Sequence, residues 1–310
     1  MRVTAADPED PSPLGGVDRL GSLVTMGAIM MGVLVALLLT ASSLEGLEGD
    51  HGLGPEIHVA SDTLVSGDDM WARPVHPGLK EADSLFFAGD PEGALARALE
   101  VARVEGGTGG TEAYEPLWRA ASYALAVGIL KGSEGGGDSF FQEALRLAER
   151  ARTAKPDGVA ARYWEVAALG QMALGASGRE AADYAEGIRG GALAILEVDP
   201  THAGAHHALG KLYLEIMGVS GVSRLLGRTF TDSKALEEAS WPRAERHLKK
   251  AVEMAPGMLL FQLDLARFHQ ARQEMEEARE ILERLVEASI QQPPDRVFQE
   301  EGRAILKRIS

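Results

Sequence analysis

Beyond residue 77, apolar residues recur every three or four positions, with polar and charged residues between them. This spacing places the apolar side chains on one face of an α-helix. The same segments are rich in Ala, Leu, Glu and Arg, which favour helices. Residues 77–310 are therefore predicted to form an all-α domain, divided into single helices by glycine and proline. The breaks fall at residues 89–91, 106–110, 132–137, 156–158, 175–178, 199–200, 256–257 and 293–294.

One pair of segments, Ala203–Leu214 and Arg243–Pro256, resembles a tetratricopeptide (TPR) repeat. In that repeat, two antiparallel helices carry small residues that allow close approach and large residues that fill the space between them. The resemblance implies a TPR-like α-solenoid of antiparallel helix pairs. The residues that match the repeat are His206, Leu209, Gly210, Tyr213, Ala244, Leu248, Ala251 and Pro256.

Four other stretches follow the same register less closely, and the last helix has a different role. Ile305, Leu306 and Ile309 lie on one face of this helix, which is predicted to cap the exposed end of the stack with Glu300, Glu301, Arg303, Lys307 and Arg308 outward. The weaker repeats occupy residues 86–101, 118–156, 164–200 and 265–285.

An insertion at residues 218–240 separates the two helices of the best repeat, and it is predicted to leave the stack as a loop with one short helix. The residues AHHALGKLYLE, the RLLG of the insertion and the following Lys-Ala-Leu-Glu-Glu-Ala stretch resemble the regulator-of-microtubule-dynamics family. They are also similar to TatT-like helical proteins associated with TRAP solute transporters. The first likeness implies a membrane-anchored adaptor, and the second implies an oligomeric periplasmic partner of a solute-binding protein. The close likeness covers about residues 195–309, and neither family transfers a catalytic residue.

The N-terminal region is predicted to contain one transmembrane helix. Residues 20–44 form a run of 25 residues without a formal charge, which is long enough to cross a bilayer. Arg19 precedes the run and acids follow it, so the positive-inside tendency places the tail, residues 1–19, in the cytoplasm. A cleaved signal peptide is the alternative. Residues 45–76 are predicted to be a flexible linker.

Composition excludes several classes of function. The net charge of −15 opposes general nucleic-acid binding. The absence of cysteine excludes thiolate metal sites and cysteine nucleophiles. His202 and His206 are spaced like zinc ligands, but no HExxH pattern accompanies them, and His206 occupies a packing position. The sequence therefore predicts no cofactor, no metal site and no catalytic residue.

Two surfaces are predicted to bind a protein partner. The first is the concave face of the solenoid, where polar residues of the first helices lie beside the packing positions. The second is the basic insertion and the start of the helix after it, because seven basic and four acidic residues lie between Val219 and Lys250. The concave-face residues are Arg119, Tyr123, Glu165, His207, Lys211, Arg267 and Gln270, and the basic residues are Arg224, Arg228, Arg243 and Arg246.

Together these features predict a membrane-anchored, non-enzymatic TPR-like scaffold whose bulk lies on the extracytoplasmic face of an inner membrane. The partner is a protein or peptide, and self-association is possible. The alternative is an oligomeric accessory subunit of a TRAP-type solute-uptake system.

Overall fold

The described part of the chain is helical, with turns between the helices and one 3₁₀ turn at Thr111–Ala113. No strand occurs in it, so the prediction of an all-α, TPR-like fold is confirmed. The computed structural model describes residues 74, 76–106, 110–132, 135–219 and 233–309.

The predicted tail and the predicted membrane segment, residues 1–19 and 20–44, lie outside the described residues, as does nearly all of the linker at 45–76. Among the helices that the structure describes, none is both long enough and apolar enough to cross a bilayer.

Twelve α-helices are defined within the described ranges, and short turns join most of them. Helices joined by short turns and packed side by side run antiparallel. They form five pairs, α1–α2, α3–α4, α5–α6, α7–α9 and α10–α11, followed by the single helix α12. The helices are α1 Pro77–Phe87, α2 Pro91–Gly106, α3 Tyr114–Gly132, α4 Asp138–Ala154, α5 Val159–Gly175, α6 Gly178–Val198, α7 Ala203–Gly218, α8 Lys234–Glu238, α9 Trp241–Met254, α10 Leu259–Ala271, α11 Met275–Glu287 and α12 Asp295–Ile309.

The first helices of the pairs lie closer to one another than the second helices do. We call α1, α3, α5, α7, α10 and α12 the A row, and α2, α4, α6, α9 and α11 the B row. Helix α5 packs against α3 and α7, and α10 packs against α7 and α12. Between successive B-row helices of the described ranges, backbone contact is slight. Because the inner helices of a curved stack approach most closely, the A row forms the concave face.

Within the fourth pair, a glycine allows the two helices to touch. A Cβ atom added at Gly210 of α7 would lie 2.7 Å from Leu248 Cγ and 2.8 Å from the Leu248 backbone nitrogen on α9. Ala244 and Ala251, one turn to either side of Leu248, are completely buried. Helix α9 starts where the Ser240 hydroxyl accepts a hydrogen bond from the amide of Arg243, and it ends at Met254, before Pro256.

Helix α12 covers the end of the stack, as expected. Phe298 and Ile305 are buried, and a Cβ atom at Gly302 would lie 2.8 Å from Leu285 Cδ2 of α11. Gln299 donates hydrogen bonds to the carbonyls of Leu285 and Ala288, at 3.2 and 2.7 Å. These bonds tie α12 to the C-terminal end of α11, where backbone carbonyls lack the full set of helical partners.

The described end of the insertion, residues 233–240, packs on the stack instead of leaving it. Its short helix α8 is present as predicted and lies against α6 and α7. Glu186 of α6 accepts hydrogen bonds from the Ser233 hydroxyl and the Ala235 amide, both at 2.7 Å. The Glu238 carboxylate accepts from Arg189 Nε of α6 at 2.9 Å. These polar contacts correct the expectation of a projecting loop for residues 233–240, while residues 220–232 lie outside the described part of the chain.

Replacing Gly210 with alanine is expected to destabilise the fold by about 1–3 kcal/mol, because the new methyl group meets the backbone of α9 and overpacks the contact. The matched control is Gly190→Ala on α6, where no atom lies within 4 Å of the added Cβ. That change should stabilise by up to about 1 kcal/mol through helix propensity alone. Urea unfolding of both variants measures the difference, and equal effects would contradict the close α7–α9 contact.

Candidate binding surface on the A row

Three of the predicted concave-face residues meet at one buried carboxylate. Asp264 of α10 is only 1% exposed. Its Oδ2 accepts from His207 Nε2 of α7 at 2.8 Å, and its Oδ1 lies 3.0 Å from Lys211 Nζ and 2.8 Å from Arg267 Nη1. The sequence analysis named the three donors but missed the acceptor that joins them. We call these four residues the Asp264 cluster.

Two further carboxylates extend the Asp264 cluster toward solvent. Lys211 Nζ also lies 2.7 Å from Glu215 Oε1, and Arg267 also pairs with Glu301 of α12. The side chains of Lys211 and Arg267 remain 23% and 27% exposed. A series of ion pairs therefore connects α7, α10 and α12. Lys211 and Arg267 each lie between the buried Asp264 and a more exposed glutamate.

Electrostatics keep the Asp264 cluster ionised. Burial by itself raises the pKa of Asp264, but the ammonium of Lys211, the hydrogen bond from His207 and the guanidinium of Arg267 outweigh it and hold that pKa well below its usual range. Burial also opposes the charge of Lys211, yet Asp264 and Glu215 raise its pKa above the ordinary value. Asp264, Lys211 and Arg267 therefore form a fixed set of charges at neutral pH.

A second polar cluster joins α1 and α3 at the other end of the A row. Arg119 Nη1 lies 3.1 Å from Asp83 Oδ1, and Arg119 Nε donates to Glu115 Oε1 at 2.9 Å. The Tyr123 hydroxyl also donates to Asp83. Burial raises the pKa of Asp83 despite the opposing effect of Arg119. The predicted residues Arg119 and Tyr123 are thus brought together by an aspartate on the neighbouring A helix. We call these four residues the Asp83 cluster.

Glu165 lies elsewhere. Its Oε2 accepts from Arg152 Nε of α4 at 2.7 Å, and both residues line a recess of about 180 Å³ together with Arg162 and glycines of α6. Helix α5 instead turns Tyr163 toward α7, where the ring packs on Gly204. Glu165 was expected on the concave face, but in the structure it lies beside the B-row helices α4 and α6.

The remaining concave-face residue, Gln270, is half-buried on α10. It lies three positions after Arg267, and this spacing puts the two residues on one face of the helix. Gln270 therefore lies on the face of α10 that carries Arg267 of the Asp264 cluster.

The four residues of the predicted basic surface have different surroundings. Arg224 and Arg228 lie outside the described residues. Arg243 Nη1 donates to the backbone carbonyl of Glu238 at 3.2 Å and lies 3.5 Å from its carboxylate, so it helps to hold the insertion on α9. Arg246 is exposed on α9. The described part of this surface therefore contains one structural arginine and one exposed arginine.

The histidines spaced like metal ligands serve packing instead. His202 Nδ1 accepts from the Ala205 amide at 3.1 Å and caps α7. His206 Nε2 lies 3.0 Å from the Pro200 carbonyl, and its Nδ1 lies 2.9 Å from His247 Nδ1 on α9. Since a carbonyl can only accept, His206 donates to Pro200 and accepts from His247. No group of three or more possible metal ligands occurs in the residues that the structure describes.

The acids that organise the A row left only a faint signal in the sequence. Asp264 is the single acid in the otherwise apolar and basic helix LLFQLDLARFHQA. A lone carboxylate on the apolar side of a helix needs a partner, because an unpaired buried charge is strongly unfavourable. Asp83, Glu115 and Glu301 lie in mixed segments that give no such indication.

Removing both cations of the Asp264 cluster is expected to cost stability, because Asp264 would stay buried without a counter-charge. The variant K211M/R267M should lose at least about 2 kcal/mol of unfolding free energy. Adding D264N to the pair should recover part of that loss, since the uncompensated charge is then gone. Urea unfolding measures both variants. A triple variant no more stable than the double one would contradict the role of Asp264.

Acidification is expected to weaken the α7–α9 pair. Burial and the neighbouring charges of His206 and Arg246 lower the pKa of His247 to about 4, whereas the unfolded chain protonates near about 6.5. Because folding lowers the pKa of His247, its contribution to the free energy of unfolding is fully present at pH values above the unfolded-state pKa of about 6.5. This contribution is lost as the pH falls from about 6.5 toward 4. Urea unfolding at about pH 7 and about pH 5 should show this loss of stability, and the loss should be smaller in the H247Q variant. An equal loss in H247Q would assign the effect to other groups.

The fold is shared with a solved TPR structure. TTC0263, a thermophilic TPR protein in Thermus thermophilus, gives a TM-score of 0.51 at 18% identity over 74% of this chain and 97% of that chain. MamA gives a TM-score of 0.37 at 12% identity over 75% of this chain and 99% of that chain. A comparison with curated proteins gives no match. The first likeness shows the TPR-like fold that the sequence predicts.

A family model gives the more specific result. The model of "Regulator of microtubule dynamics protein 1-3" matches residues 79–310. The match begins inside α1 and includes every later helix that the structure describes. It therefore also covers residues 79–194, for which the sequence analysis found repeat periodicity but no close likeness to this family. The chain belongs to the regulator of microtubule dynamics protein 1-3 family.

Proposed function

We propose that this protein is a non-enzymatic scaffold that holds a polypeptide partner along its A row. One observation carries the proposal: two charged clusters, around Asp83 and Asp264, lie on the same row of helices with their outer groups open to solvent. The helices on either side fix these groups in place, so the partner meets a surface whose side chains are already ordered. Such order lowers the entropic cost of binding.

The charges of the A row favour a partner that carries cations. The Asp83 cluster contains two carboxylates and one guanidinium. The Asp264 cluster with its outer acids contains three carboxylates and two cations. Counting these carboxylates, ammonium and guanidinium groups, each cluster has one negative charge in excess. The two clusters lie on different pairs of helices, which suits an extended segment better than a small molecule.

Photo-crosslinking tests this proposal without disturbing the ion pairs. A photoreactive phenylalanine analogue replaces Gln270 or the exposed Phe87, which lies four positions after Asp83 on α1. Glu149 of α4 and Glu277 of α11 are the matched exposed controls on the B row. After capture of the full chain from solubilised membranes, the same partner is expected to be cross-linked from both A-row positions and from neither control. Cross-linking of that partner from the B row alone would overturn the proposal.

The same proposal places the helical domain outside the cytoplasm. Support comes from the uncharged run at 20–44, preceded by Arg19 and followed by acids. On this basis, residues 1–19 stay in the cytoplasm, and the scaffold works close to the extracytoplasmic face of the membrane.

The absence of cysteine makes the orientation directly testable. In intact cells or spheroplasts, a membrane-impermeant maleimide should label S84C on α1 and leave S12C unlabelled until the membrane is permeabilised. The reverse pattern would overturn the orientation. Loss of the S12C segment from the mature chain would favour the cleaved signal peptide.

A further inference from the structure

The outer face of α11 carries a stripe of acids. Glu276, Glu280, Glu283 and Glu287 are all exposed, and their spacing of four, three and four residues places them on one line along the helix. Ala278, Leu282 and Leu285 point the opposite way and are completely buried. Glu277 and Arg284 lie beside the stripe and offset each other in charge, and Arg279 Nη1 pairs with Glu276 Oε1 at 3.1 Å. We call these four glutamates the acidic stripe.

The outer face of α12 carries a stripe of the same spacing and mostly opposite charge. It consists of Arg296, Glu300, Arg303 and Lys307, all exposed. Arg303 Nη2 donates to Gln299 Oε1 at 3.4 Å. Among the described residues, no carboxylate forms an ion pair with the three cations. We call these four residues the basic stripe.

The basic stripe is a local excess of positive charge in an acidic chain. Acidic residues number 46 against 31 basic ones, and arginines such as Arg97, Arg119 and Arg189 form ion pairs with carboxylates. Arg296, Arg303 and Lys307 face away from the stack, where an acidic surface of another molecule can pair with them.

The composition of the stripes indicates what kind of surface that is. The large hydrophobic side chains that are exposed in the described residues, Phe87, Val104, Leu174 and Val198, all belong to other helices. Without an apolar residue to insert, the basic stripe is better suited to a charged protein surface than to a lipid layer.

We propose that the basic stripe binds the acidic stripe of a second copy of this chain. With the helices antiparallel, Lys307, Arg303 and Arg296 of one copy face Glu276, Glu280 and Glu287 of the other. At the fourth position, Glu300 of one copy faces Glu283 of the other, and these two carboxylates repel each other. Parallel helices give the same balance of three attractive positions and one repulsive position. Both stripes lie at the C-terminal end of the stack, so a two-fold pair of copies uses both at once.

The repulsive position and the salt dependence provide two further tests of the pairing. Replacing Glu300 with lysine should lower the dissociation constant of self-association by about two- to fivefold for each contact. This is the range of effects that exposed ion pairs have on an equilibrium constant. Raising the salt concentration should weaken association, because ions screen exposed charges beyond a Debye length of about 10 Å at 0.1 M.

Charge exchange tests the pairing itself. Sedimentation velocity of the full chain in a non-ionic detergent, at low salt, measures association of wild type, R303E/K307E and E280K/E287K. Each variant alone should associate at least tenfold more weakly than wild type, because one stripe then repels its counterpart. A mixture of the two should restore association, because each variant supplies the charge that the other lacks.

Controls separate this proposal from misfolding and from contacts made by other parts of the chain. R103E/R150E reverses two exposed arginines on α2 and α4, and it should associate like wild type. Circular dichroism and urea unfolding of each variant check its folding, since all of the substituted side chains are exposed. A monomeric wild type at low salt, or variants that associate like wild type, would overturn the proposal. So would a mixture that fails to associate although both variants are folded.

Discussion

A helix pair in this protein cannot bury both of its apolar faces by itself, and the rest of the architecture depends on that constraint. Helix α7 packs on α9 through Gly210 and Leu248, but its other sides need α5, α6 and α10. Each added pair therefore covers the previous one and exposes a new apolar face. The stack ends only where α12 turns Phe298 and Ile305 inward and leaves polar side chains outside.

The same stacking gives the A row its chemistry. Successive A helices lie close enough for charged side chains of one to reach the next, as Asp83 reaches Arg119 and Asp264 reaches Lys211. A carboxylate in such a place is shielded from water and is stable only with cations beside it. The resulting surface is polar but ordered. The B row and the outer face of α12 carry exposed charges that the stack does not use, and these are available for contacts between copies.

Much of the fold could be predicted because repeat packing depends on local spacing. The glycine and proline breaks separate helices that the structure confirms, and the small residues of α7 and α9 meet as the TPR register requires. The candidate site was only partly predictable. His207, Lys211 and Arg267 were chosen for their register. Their common partner Asp264 lies on α10 with Arg267, more than fifty positions along the chain from His207 and Lys211. Glu165 shows the limit of the register, because α5 turns Tyr163 toward α7 and leaves Glu165 beside α4.

The sequence by itself determined the helices, their order, the small residues at their crossings and the capping role of α12. These follow from periodicity and from backbone preferences that act within a few residues. Only the tertiary structure decided which charges meet, that Glu186 and Glu238 hold the end of the insertion on the stack, and that His206 pairs with His247. Such pairings depend on the rotation and separation of neighbouring helices, which distant apolar contacts set and no local pattern encodes.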